Sequence, residues 1–129
     1  MKNKILVDTS IWIEYFNRSE SKAGSQLQEL IKKGNVCVSG VILTELLQGA
    51  RLEKEFNAIL ESFMALPFLD MNINTWIRAG RISFSLRRKG ITIPTTDLII
   101  ASLAIENDSA IFTLDPHFKK IPDLKLFTA

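Results

Sequence analysis

Short apolar runs alternate along this chain with longer stretches whose apolar residues recur at helical spacing, which restricts it to an α/β fold built on a largely parallel sheet. Ile5-Leu6-Val7 reads as a first buried strand. A helix is expected to follow from near Ser10, with the Ser10 hydroxyl as its cap. A second helix over residues 23–33 should stop at Gly34-Asn35 and feed a strand at Val36-Cys37-Val38. Ser39 and Gly40 open the helix that carries Glu45. Further helices are expected over residues 53–65 and 72–88, the latter closed by Gly90, with a short strand at Phe68-Leu69 between them. Pro94-Thr95-Thr96-Asp97 starts a helix through the apolar run 98–105, which Asn107-Asp108-Ser109 ends. Residues 110–113 form a strand, Asp115-Pro116 a turn, and Leu126-Phe127 an edge strand.

The 129 residues suit one domain spanning 1–129, with no repeat, linker or low-complexity tract. Sixteen basic residues against fourteen acidic ones give a formal charge of +2, too small an excess to announce a nucleic-acid binder by itself. Cys37 is the single cysteine, so it forms no intrachain disulfide and reads as a buried strand thiol. The apolar run before Asp8 is too short for a signal-peptide core, and no run reaches the roughly 20 residues of a membrane span. A cytoplasmic, reduced protein without a membrane partner is the expectation.

Ordinary readings exist for three of the acids. Asp8 can cap a helix, Asp97 can complement a helix dipole, and Asp115 can start an Asp-Pro turn. Their surroundings argue for more. Asp97 shares a helix face with Ile100, Ala101 and Ala104, and Glu45 lies one turn beyond Val41 and Ile42. Asp8 and Asp115 each follow a strand, and open parallel sheets bind ligands outside the carboxyl ends of their strands. Carboxylates in apolar surroundings must be paired, protonated or metal-bound. Two of them about 5 Å apart repel by roughly 3 kcal/mol at an effective dielectric near 20, and a divalent cation removes that cost. Oxygen ligands favour magnesium or manganese, and one His with one Cys is too few for a structural zinc site. Such a cluster suits phosphodiester hydrolysis.

Four motifs in order, V-D-T-S at 7–10, T-E-L at 44–46, T-D-L-I-I-A at 96–101 and T-L-D-P-H-F at 113–118, resemble those of the PIN-domain family. The match runs through nearly the whole chain, and the opening L-V-D-T-S-I-W-I-E is most similar to the VapC-type toxins of bacterial toxin-antitoxin pairs. The resemblance implies a three-layer α/β/α sandwich with the acids gathered around one or two magnesium or manganese ions. It implies Asp8 and Asp97 as principal metal ligands, Glu45 as a direct or water-mediated ligand, and Asp115 as a fourth acid. Ser10 and Thr113 match hydroxyls that support the acids by hydrogen bonding. It further implies a metal-dependent endoribonuclease with RNA as substrate, a homodimer, and neutralisation by a small cognate antitoxin.

Two rivals are weighed against this reading. Phosphoryl transfer through an aspartyl phosphate would favour a second Asp two residues after Asp8, where Ser10 stands. A catalytically inactive module of the same fold, binding RNA or protein, would not need all four acids. His117, the lone histidine, is expected to order the turn after Asp115 rather than to act as a general base. Arg78, Arg81 and Arg88 could track phosphates but read first as a solvated helix face. Trp12, Phe16 and Trp76 read as core or dimer contacts.

Overall fold

The structure, a computed structural model, describes residues 4–128. The first three residues, part of the segment read against a signal peptide, lie outside the described residues. The strand β1 (Ile5–Val7) occupies the centre of a sheet, with β2 (Val36–Cys37) and β3 (Ala110–Phe112) on its two sides, and both pairings are parallel. Ile5 pairs with Val36 on one side and Ala110 on the other. Consecutive strand residues face opposite sides, so burial of Ile5, Leu6 and Val7 alike means that both faces of the sheet are covered. The fold is accordingly a three-layer α/β/α sandwich.

The helices are α1 (Thr9–Asn17), α2 (Lys22–Lys32), α3 (Gly40–Gly49), α4 (Glu53–Met64), α5 (Ile73–Arg87) and α6 (Thr95–Glu106). In the main they lie where helical periodicity puts them, with ends displaced by a residue or two. The stops after α2 and α5 follow from Gly34 (φ 71°) and Gly90 (φ 79°), which adopt the left-handed conformation that a side chain resists. The segments expected as strands at 68–69 and 126–127 are each reduced to a single parallel bridge, Val38 to Phe68 and Ile111 to Leu126. They extend the sheet at both edges without enough paired residues to count as strands.

Three features of the core fix the site. Leu6, Val7, Ile11 and Trp12 are wholly buried, so the junction of β1 and α1 is clamped on both sides. Full burial of each such side chain contributes about 1.5–3 kcal/mol. Trp12 packs against Phe63 of α4 with the rings tilted and their centroids 4.6 Å apart. Helix α6 buries residues on nearly all its sides, among them Leu98, Ile100, Ala101, Leu103 and Ala104, so it behaves as an internal strut. Cys37 is buried as expected, and that burial pushes its thiol pKa up.

Candidate active site

Parallel strands present their carboxyl ends on one side, and Asp8 leaves β1 there while Thr113, Leu114 and Asp115 leave β3. The pairing carries one step past β1, since the Asp8 backbone N–H donates to the Phe112 carbonyl at 2.9 Å. Asp8 occupies the cap position of α1, yet its side chain makes no capping hydrogen bond. Its Oδ2 instead accepts from Ser10 Oγ at 3.0 Å and Thr113 Oγ1 at 2.8 Å, and Asp8 is only 5% exposed. Capping therefore does not account for the carboxylate. The expectation that Ser10 caps α1 is also corrected: the helix begins a residue earlier, and the Ser10 hydroxyl holds Asp8 and accepts from the Leu114 backbone N–H.

Thr113 works in two directions. While donating to Asp8, its Oγ1 accepts from the Asp115 backbone N–H at 2.9 Å. One hydroxyl thus ties the two acids from different strands into a single network. Asp115 also keeps its turn role, because Oδ1 accepts from the His117 backbone N–H at 2.9 Å at the start of a short 3-10 helix, Pro116–Lys120. Phe118, 1% exposed, anchors that turn in the core.

Asp97 lies in the first turn of α6 and is brought against Asp115. Its pKa is pushed up to about 6, first by burial and then by the Asp115 and Asp8 carboxylates, with His117 opposing. Three acids from opposite ends of the sequence are therefore within electrostatic reach of one another. Glu45, part-buried on α3, joins through the residue next to Asp8: Thr9 Oγ1 donates to its Oε1 at 2.8 Å. That bond places Glu45 beside the start of α1, while the tighter grouping consists of Asp97, Asp115 and His117, each offering a ligand atom within 4.8 Å of the others.

His117 is the residue whose position sequence reasoning missed. Its backbone orders the turn as expected, but the ring folds back so that Nδ1 lies 3.3 Å from Asp97 Oδ2 and 3.1 Å from Asp115 Oδ1. Neither carboxylate is aligned with that nitrogen for a hydrogen bond, although Nδ1 is buried. The ring lies against both carboxylates at once. The readable signal was the D-P-H spacing, which returns the third residue of a turn towards its first.

The donor chemistry fits a divalent cation. Hard carboxylate oxygens converge, burial and then the neighbouring carboxylates have raised the Asp97 pKa, and Asp8 is held by two hydroxyl donors in one orientation. Elsewhere the expected residues stay apart from this group. Trp12 is buried and Phe16 part-buried, whereas Trp76 is 46% exposed and not a core residue. Arg78 and Arg81 are exposed along α5 and Arg88 is exposed just past its end, over the Phe84 ring.

A parallel α/β/α sandwich with acids at the carboxyl end of its sheet defines a class, and comparison specifies it. The PIN domain family model matches residues 5–124, and the chain belongs to that family. It is 33% identical over 122 residues to Ribonuclease VapC11 of Mycobacterium tuberculosis, covering 91% of this chain and 90% of the relative. It is 28% identical over 126 residues to Ribonuclease VapC2 of Rickettsia felis, with 94% of each chain covered. Among solved structures, a chain of the VapBC2 complex of Rickettsia felis bound to a promoter DNA fragment superposes with a TM-score of 0.81 at 26% identity, covering 95% of this chain and 96% of that one.

Proposed function

We propose that this protein is a metal-dependent endoribonuclease, the toxin of a toxin-antitoxin pair, acting as a single unit over residues 1–129. The observation that carries the reading is the convergence of Asp8, Asp97 and Asp115 from β1, α6 and β3 onto one buried-to-rim site. Asp8, Asp97 and Asp115 would hold magnesium or manganese, and Glu45 would complete the acidic rim from α3. When bound, the cation activates water and stabilises charge on a cleaved phosphodiester.

The chain's own residues supply the positioning. Ser10 and Thr113 fix the Asp8 carboxylate, and Thr113 and the Pro116 turn fix Asp115, so the acids need little rearrangement to act together. The names of the relatives support RNA as substrate, and the VapBC2 complex supports a small antitoxin as partner. Action in the cytoplasm is part of the proposal; among the described residues no helix is long and apolar enough to cross a membrane. A homodimer fits the exposed apolar side chains of α5, Ile73, Trp76, Ile77 and Phe84. Growth arrest on expression, relieved by the product of an adjacent small gene and absent for Asp97→Asn, is the cellular test. A toxic Asp97→Asn protein, expressed and folded, would count against the reading.

A further inference from the structure

The ring of His117 is placed as a cation ligand is placed, with one nitrogen against two carboxylates. Donors at right angles on one ion, with bonds near 2.1 Å, stand about 3 Å from each other. Nδ1 of His117 stands 3.1 Å from Asp115 Oδ1 and 3.3 Å from Asp97 Oδ2, close to that separation for both acids at once. Nδ1 meets neither carboxylate in the alignment of a single hydrogen bond. Donors at right angles lie about 45° from each other's bond axis, which is enough to spoil a hydrogen bond while leaving ligation intact. The Nδ1 atom is buried although the side chain as a whole is 42% exposed, so the nitrogen faces the acids and the opposite ring edge faces outward.

We infer that His117 gives this acidic site a nitrogen ligand through Nδ1, so that the site prefers manganese and later transition ions to magnesium. The inference rests on the proposed metal site and adds a donor to it. Imidazole nitrogen suits transition ions, whereas magnesium is held by oxygen, so the nitrogen strengthens binding of one class selectively. Phe118 in the core and the Asp115 turn hold the ring in place, which limits the ordering that binding requires.

The chain contains one histidine, so any imidazole nitrogen coupled to a bound ion in untagged protein is that of His117. The test is pulsed electron paramagnetic resonance of Mn2+ on the full untagged chain, with calorimetric titration of Mn2+ and Mg2+ into wild type, His117→Ala and Asp97→Asn. The expected result is a nitrogen coupling in wild type that His117→Ala removes. With it, Mn2+ affinity should fall at least about tenfold, the lower end of what losing even a supporting partner costs, and Mg2+ affinity should change less. Saturable Mn2+ binding that Asp97→Asn abolishes, but with no nitrogen coupling and with His117→Ala unchanged or tighter, would overturn the ligand assignment and leave the acidic metal site standing. Absence of saturable binding that depends on Asp97 would overturn both.

Discussion

Thr113 donates a 2.8 Å hydrogen bond to Asp8 across 105 residues of sequence, joining the end of β3 to the end of β1. Because the same hydroxyl accepts from the Asp115 backbone, Thr113→Val should loosen two acids at once. Cleavage or metal affinity is expected to fall about 10- to 100-fold, with about 1–3 kcal/mol of stability lost from the orphaned partners. Thr113→Ser retains the hydroxyl and should recover most of the activity. A Thr113→Val enzyme with wild-type kinetics would remove this residue from the positioning network.

The raised Asp97 pKa sets a pH dependence of stability. An acid whose pKa rises from 3.8 unfolded to about 6 folded contributes stability that is full below pH 3.8 and is lost as pH climbs through about 6. The span is worth roughly 3 kcal/mol. Without added metal, Asp97→Asn should therefore gain in melting temperature relative to wild type between pH 4 and neutrality. Divalent metal at a hundredfold excess over its dissociation constant should add roughly 2.7 kcal/mol to wild type alone. A difference between the two proteins that stays flat across this range would contradict the origin given for the shift.

Asp115 has two roles that one substitution can separate. In Asp115→Asn the amide oxygen can still accept from the His117 backbone, so the turn should persist while charge at the site is lost. Metal affinity or cleavage should drop about 10- to 100-fold if the carboxylate acts through a bound water, and further if it binds the ion. A metal titration of cleavage rate that overlays the wild-type curve would leave Asp115 as a turn former only.

The apolar side chains exposed on α5 occur at 73, 76, 77 and 84, spacings that set them along one helix face while Thr75, Ala79 and Leu86 are buried. A charge in that stripe, as in Ile77→Glu, should convert the expected dimer to monomer in light scattering with little change in thermal stability. A variant that remains dimeric would place the interface elsewhere.

Much of this was legible from the sequence because it depends on local signals. Buried strands read as apolar runs, the Gly34 and Gly90 stops read as left-handed positions, and Asp97 read as an acid on an apolar helix face. Tertiary partners were harder to read. Nothing local distinguishes a Ser10 that caps α1 from one that holds Asp8, since its alternatives are Asp8 and the distant Leu114. The edge segments at Phe68 and Leu126 have strand-like composition, but pairing length depends on the course of the loops around them. The D-P-H spacing returns His117 towards Asp115, but its approach to Asp97 also depends on Phe118 entering the core, a contact that spacing does not show.

The central claim is that RNA cleavage depends on a divalent cation held by these acids, and one assay tests it most directly. Purified, antitoxin-free protein is incubated with RNA in magnesium, in manganese and in excess chelator, beside Asp8→Asn and Asp97→Asn proteins verified as folded. Cleavage by wild type with either metal, none in chelator, and none by either variant is the predicted result. Undiminished cutting in chelator, or by folded Asp97→Asn, would contradict the account.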